Sequence, residues 1–244
     1  MGPGRRPLLA PRDDGPPDGR ARRRRAWGSE GGAGAPSGLT LRQRVLPAVF
    51  DRLNASFERR FGEKRRRVLA PAAGRVLEIG AGTGWSFRQY PEGVTEIVAL
   101  EPDDGMRLRG ERRAAESGRS VRFVRGSAEE LPFEDESFDW VVSMAVLCTV
   151  PDPARALGEV RRVLRPGGAL LFVEHVRSER PRLAGWQDRL ERPWGVVAQG
   201  CHPNRDTVAV LERAGFEVEL AERGELPLAP PIVRPYVLGT ATKT

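Results

Sequence analysis

Apolar residues along this chain gather into short runs that end in an acid or a glycine. Val76-Leu77-Glu78-Ile79 leads straight into Gly80-Ala81-Gly82-Thr83-Gly84. That pattern predicts a buried parallel strand turning sharply at its carboxyl end. Glu96 to Leu100 repeats the apolar run and stops at Glu101-Pro102, with Asp103 placed to cap the next turn. Ser137 to Leu147 predicts a fourth strand and the turn leaving it, and Ala169 to Glu174 a fifth. Between those two, Ala156, Leu157, Val160, Val163 and Leu164 recur at helical spacing behind Asp152-Pro153, and Arg165-Pro166-Gly167-Gly168 reads as the stop. Asn204 to Thr207 opens another helix, running to Arg213. Phe216 to Leu220 then alternates as a strand, with Arg234 to Ala241 as its antiparallel partner. Strands alternating with helices place the chain in the α/β class.

The amino-terminal part differs. Leu46, Val49, Phe50, Leu53, Phe57 and Phe61 recur at steps of three and four, with Arg42, Arg44, Arg52, Arg59 and Arg60 between them. Such a stripe predicts an amphipathic helix, with Pro47 tolerated in its first turn. Residues 39–70 are read as a lid packed over the ligand cleft, and residues 71–244 as the catalytic domain. The alternative for the helix is weak contact with a membrane surface through its basic flanks. Residues 1–38 are rich in Gly, Pro and Arg without apolar periodicity, so they read as a disordered basic tail.

Charge supports that division. Residues 1–67 carry 17 Lys and Arg against 7 Asp and Glu, whereas the whole chain of 244 residues is +7. The catalytic part is therefore mildly acidic, which argues against a specific nucleic-acid groove. Two cysteines, Cys148 and Cys201, are too few for a disulfide framework or a zinc site and fit a reducing cytoplasm. The only histidines, His175 and His202, lack metal-ligand spacing, so no metal is expected.

The glycine spacing narrows the ligand. A dinucleotide fingerprint needs G-x-G-x-x-G, but here the third glycine comes one residue early and position 85 is Trp. No Gly-Lys-Ser/Thr comes after it, which excludes a phosphate P-loop. Glu101 lies 19 residues beyond Gly82, where a βαβ unit presents an acid to ribose hydroxyls. Together, E-x-G-x-G-x-G, Glu101-Pro102, Gly126-Ser127-Ala128-Glu129 with Leu131-Pro132-Phe133, and Ser143-Met144 resemble the class I S-adenosylmethionine (SAM) methyltransferases. The resemblance implies a doubly wound, Rossmann-like sheet of seven strands in the order 3-2-1-4-5-7-6, the last strand antiparallel. It also implies SAM as cofactor, held by Glu78, Gly80, Gly82, Gly84, Glu101, Pro102, Ser127, Ala128, Glu129, Ser143 and Met144. Ser127 stands where the family usually has Asp.

Finer features resemble the thiol S-methyltransferase branch: Tyr90-Pro91-x-Gly93, Val146-Leu147-Cys148, Glu174-His175-Val176, Trp186-Gln187, Gly200-Cys201 with Arg205, and Val233-Arg234-Pro235. They imply a small apolar acceptor methylated at sulfur. The alternatives are an amine, a lipid headgroup or a quinone-type ring, or a module that binds SAM without turnover. His175, at the end of the fifth strand, is the candidate base for a thiol proton. Trp186 and Trp194 are candidate walls of the acceptor pocket, and Arg205 a candidate source of positive potential. Cys148 and Cys201 read as packed small hydrophobes.

Overall fold

Side chains at most of the chain's helix starts supply missing hydrogen bonds of the first turn. The computed structural model describes residues 39–226 and 229–243; the tail expected over residues 1–38 lies outside the described residues. Helix α1 (Leu41–Leu69) opens on a capping box: the Thr40 hydroxyl accepts from the Gln43 amide and the Gln43 side chain accepts from the Thr40 amide. Asp103 caps α2 (Asp104–Ser117) by accepting from Met106, as read from sequence, and α2 ends at the left-handed Gly118. Asp152 caps α3 (Pro153–Val163) and Asp206 caps α5 (Thr207–Arg213). Between those two lies α4 (Pro181–Val197), which starts on Arg180 with no side-chain cap.

Seven strands form one sheet: β1 (Gly74–Ile79), β2 (Val94–Leu100), β3 (Val121–Val124), β4 (Phe138–Met144), β5 (Leu164–His175), β6 (Phe216–Glu225) and β7 (Pro235–Lys243). Their order is β3-β2-β1-β4-β5-β7-β6, with β7 antiparallel to both its neighbours, as the resemblance implied. The alternation of β1 divides the core. Leu77 and Ile79 pack on the face covered by α3 and α5, with Leu157, Val160 and Leu211; Val76 packs on the other, with Ile97, Val142 and Leu171.

Three boundaries differ from the sequence reading. The Arg165–Gly168 segment was expected as a stop between helix and strand, yet β5 begins at Leu164, paired with Phe138. A Cβ on Gly168 would lie 2.8 Å from the Asp139 carbonyl, so this residue lets two strands approach where a side chain would hold them apart. Strand β6 runs five residues past Leu220, because an irregularity between Leu220 and Glu222 lets it stay paired with β7.

The third difference concerns α1. Its carboxyl-terminal half docks on the sheet: Phe61 is buried edge-on against Tyr236 at 5.7 Å, and Val68 and Leu69 are buried as well. The amino-terminal half docks on another face. Val49 is 48% exposed, in line with exposed Leu41 and Val45, whereas Pro47 is buried. At about 100° per residue, Val49 points some 200° away from the face carrying Pro47 and Asp51. The side chains of Phe50, Leu53 and Phe57 lie outside the described residues. No described helix is long and apolar enough to cross a membrane.

Glu222 on β6 ties the far end of α1 to the sheet, accepting from Lys64, Arg67 and the Tyr236 hydroxyl. Lys64 first, then Tyr236 and Arg67, hold its carboxyl down to about 2 from the ordinary 4.5. A depressed carboxyl stabilises the fold above its unfolded pKa and loses that contribution as pH falls through its folded one. Glu222→Gln is therefore expected to destabilise the protein by about 1 kcal/mol at pH 7, since the pairs are partly exposed. The gap should narrow progressively between pH 4.5 and about 2. Urea titrations of both proteins at pH 7, 4 and 3 check this; a gap that does not change with pH would refute it.

Candidate active site

The carboxyl ends of the parallel strands meet at one edge of the sheet, where open α/β folds bind their ligands. At the end of β1 the chain turns through Gly80, Gly82 and Gly84, all left-handed with φ of 58°, 56° and 77°. A Cβ on Gly80 would lie 2.6 Å from Val146, and one on Gly84 would lie 2.3 Å from Phe87, so these two glycines serve the fold. A Cβ on Gly82 would meet nothing nearer than the Gly80 carbonyl at 4.0 Å. Gly82 is the glycine whose bare backbone opens outward, the shape a ligand pressed against the main chain requires.

Glu101 stands opposite. One carboxylate oxygen accepts from the Gly82 amide at 2.8 Å and the other from the Asp103 amide at 2.9 Å. Burial pushes its carboxyl up, and those two amides work against the shift. Each oxygen keeps a lone pair for a further donor, so the pair can take the two hydroxyls of a ribose. Pro102 is exposed beside it. Buried Ala128 fits the apolar side of an adenine ring. Ser127 is exposed, and its hydroxyl is engaged by Glu129. Met144 is half-buried at the end of β4. With the bare Gly82 and the buried Glu101, these residues fit SAM.

Two expected cofactor residues turn inward instead. Glu78 is buried and accepts from the Ser86 hydroxyl at 2.5 and 2.7 Å and from the Tyr90 hydroxyl at 2.9 Å. Burial raises its carboxyl, and these hydroxyls with nearby Arg65 oppose the shift. It braces the glycine loop from behind. Ser143 is fully buried and donates to Glu174 at 2.6 Å. An acid inside the apolar run of β5, Glu174 also accepts from the amides of Val146, Leu147 and Cys148 at 3.0 to 3.2 Å. It shapes the loop after β4, in which Ala145 is left-handed at φ 58°. The sequence signal was present, because nothing but a network of donors keeps a carboxylate at that position.

The residues expected on the acceptor side lie at the end of β5, in α4 and in the segment after α4. His175 ends β5, half-buried, with a sealed Nδ1 that has no hydrogen-bond partner. Burial lowers its pKa below 6.5, and the Val233 main chain bonded to the ring works the other way. The imidazole is therefore neutral at pH 7. Arg205 does not face outward: its guanidinium donates to the carbonyls of Leu147 and Val150, stapling the β4 loop. Arg205 is thus also a brace, its half-buried guanidinium finding acceptors in loop carbonyls, which are neutral and leave its positive charge in place.

The two tryptophans separate. Trp194 packs against a small cluster of Cys148, Cys201, Ile232 and Val233, and both cysteines are buried as the sequence suggested. Trp186 is 55% exposed and lines an open cavity of about 420 Å³ with Arg180, Arg182, Leu183, Glu225, Pro231 and Arg234. His175 does not line that cavity: it pairs with Tyr236 and Glu225 with Pro235, so β7 lies between them. No group able to hold a metal ion occurs among the described residues.

Sequence reasoning missed Asp51 of α1, which reaches into the glycine loop. It accepts from the Thr83 hydroxyl at 2.6 Å and the Trp85 indole at 3.0 Å. The signal was slight: an acid among arginines on a helix read for its apolar stripe.

Comparison with known proteins agrees with this geometry. Residues 77–172 match the methyltransferase domain family. The human thiol S-methyltransferase TMT1B is 36% identical over 210 residues, covering 81% of this chain and 86% of that protein. A demethylmenaquinone methyltransferase of Clavibacter sepedonicus is 35% identical over 56% of this chain and 60% of its own length. A phosphatidylethanolamine N-methyltransferase of Cereibacter sphaeroides is 36% identical over 59% of this chain and 72% of its own. Among solved structures, the YcgJ protein of Bacillus subtilis superposes with a TM-score of 0.61 at 22% identity, over 75% of this chain and 97% of that one. With the glycine loop, Glu101 and the seven-strand order in place, this chain belongs to the class I SAM-dependent methyltransferases, in the branch that includes the thiol S-methyltransferases.

Proposed function

We propose that this methyltransferase acts on a small thiol. The observation that carries the reading is His175, neutral and with an unengaged ring nitrogen at the sheet edge that holds the glycine loop and Glu101. SAM, when bound, supplies a methyl group already activated by its sulfonium. What the chain must add is orientation, exclusion of water and removal of one proton. A free thiol ionises at about 8.5, so at neutral pH it needs a base. In this reading His175 is the base for that proton; its Nδ1 is closed to solvent, so the acceptor reaches the ring by displacing the packing around it, and the cluster around Trp194 offers apolar surface to the acceptor. The resemblance to TMT1B supports sulfur as the nucleophile.

A second reading, methylation of a lipid headgroup, draws support from the cavity lined by Trp186 and the start of α4. Arg180, Arg182 and Arg234 there outnumber the one acid, Glu225. Such a surface suits an anionic group. Following SAM consumption with a panel of small thiols, amines, quinols and phospholipid vesicles separates the two, and turnover of no thiol would overturn the first.

Glu101→Ala removes the acceptors expected for the ribose and those holding Gly82 and Asp103. Affinity for SAM is expected to fall by about 2 kcal/mol in titration calorimetry. Unchanged affinity would remove Glu101 from the cofactor site.

The role of His175 has a pH signature. Burial lowers its pKa, so the thiol activity of the wild type should rise with pH through a midpoint below 6.5 and level off near neutrality. His175→Gln should lose that limb and run about a hundredfold slower at pH 7. Its deficit should shrink above pH ~8.5, where the thiol ionises unaided. Full activity of the variant at pH 7 would make His175 a structural residue.

A further inference from the structure

Among the described side chains, the Asp51 carboxylate joins helix α1 to the cofactor loop. Asp51 Oδ1 accepts from Thr83 Oγ1 at 2.6 Å and from Trp85 Nε1 at 3.0 Å, and Arg113 adds longer contacts of 3.3 and 3.4 Å to the same oxygen. Oδ2 accepts from Arg109 at 3.2 Å. Thr83 and Trp85 flank Gly84 in the turn that carries Gly82. Arg113 closes the circuit, since it also donates to the Thr83 carbonyl and lies 4.2 Å over the Trp85 ring. The Asp51 carboxylate therefore grips this turn from both ends, directly and through Arg113.

The helices are shaped for this contact. Gly105, Arg109 and Arg113 succeed one another at steps of four, which places them on one face of α2. A Cβ on Gly105 would lie 2.0 Å from the Gln43 carbonyl of α1, so only glycine lets the two helices approach this closely. A Cβ on Gly110 would lie 2.9 Å from the Gly82 carbonyl, bringing α2 equally close to the loop. Burial pushes the Asp51 carboxyl up, but Thr83, Arg113 and Trp85 outweigh it, and the group is ionised at neutral pH.

An ordinary ion pair between surface helices would need only Arg109 and Arg113. The hydroxyl of Thr83, which is 1% exposed, and the indole N–H of Trp85 have no part in docking one helix on another. They belong to the loop. We propose that Asp51 is a positioning residue for the cofactor: through Thr83 and Trp85 it holds the glycine loop in its binding shape, so that seating of α1 and affinity for SAM are coupled.

The coupling arises from where the cost of ordering falls. A loop with three left-handed glycines is free to leave its binding shape, and each bond from Asp51 reduces that freedom before the ligand arrives. Loss of the carboxylate should weaken ligand binding without touching the groups that carry out the reaction.

The test uses the full chain and S-adenosylhomocysteine, the demethylated product of SAM, as the calorimetric probe. Asp51→Ala should raise its Kd about tenfold and speed its release by a similar factor. At saturating SAM, kcat should stay within about twofold. Asp51→Asn keeps an acceptor oxygen for Thr83 and Trp85, and should recover most of the affinity. Trp85→Phe keeps a ring under Arg113 but loses the indole N–H, and should weaken binding about threefold, which serves should Asp51→Ala fold poorly. Arg109→Ala is the control, because it removes a contact between the helices that does not touch the loop; its Kd should stay within about twofold of wild type. Unchanged Kd in both Asp51→Ala and Trp85→Phe overturns the proposal. So does an Arg109→Ala variant that loses as much affinity as Asp51→Ala, since helix docking alone would then account for the effect.

Discussion

A carboxylate taken out of water survives only where donors replace its hydration, and this protein buries three of them at one edge of its sheet. Glu78 ends β1, Glu101 lies just past β2 and Glu174 lies at the end of β5; burial raises the pKa of each. Their donors come from the loops those strands feed: hydroxyls of Ser86 and Tyr90 for the first, amides of Gly82 and Asp103 for the second, and Ser143 with three amides of the β4 loop for the third. The loops cannot relax without leaving a buried charge unpaired, which costs more than the bonds themselves gain. A sheet edge that would otherwise be flexible loop becomes a shaped site. Among the three, Glu101 alone combines lone pairs for a ligand with a position facing the bare Gly82.

That division of labour explains what could be read from the chain and what could not. The strands and the glycine loop were legible, because apolar runs, glycine spacing and an acid at a fixed distance are local patterns; the strand order came only with the family those patterns resemble. The roles of Glu78 and Ser143 were not, because local sequence does not say to which side of a strand end a polar side chain turns. Alternation places Glu78 on the face of Val76, where it meets Tyr90, a residue 12 positions later. The bracing role of Arg205 was out of reach for a related reason. Its acceptors, Leu147 and Val150, lie more than 50 positions earlier in the chain, and only the fold brings them together.

The amino-terminal helix shows a different limit. Its apolar stripe predicted burial, and of that stripe Phe61 is buried where α1 crosses the sheet, as are Val68 and Leu69, which lie beyond the stripe. Toward its start the helix runs over α2 and the glycine loop, where the partner surface is arginine, indole and main chain. Polar docking won there, because Asp51 meets four donor side chains, and that arrangement leaves Val45 and Val49 outside. A hydrophobic stripe indicates that some surface wants covering; the chemistry of the neighbour decides which face is covered.

The antiparallel β7 explains how acceptor chemistry can vary on a constant cofactor site. Strands β1 and β2 with their loops bind the cofactor, and their parallel register fixes Gly82 against Glu101. On the far side, β7 enters the sheet at the same edge where β5 leaves it, so His175 pairs with Tyr236 while Val233 and Arg234 fall just outside the sheet. Residues of three separate segments, the end of β5, the start of α4 and the turn before β7, thereby share one corner. None of them carries the weight of the central strands, so changes there alter what is recognised at little cost to the fold. The chain is 35 to 36% identical to relatives named for thiols, a demethylmenaquinone and phosphatidylethanolamine, so likeness to them does not single out an acceptor. Under the proposed function, the acceptor is decided at this corner, and the glycine loop, which serves the cofactor, does not decide it.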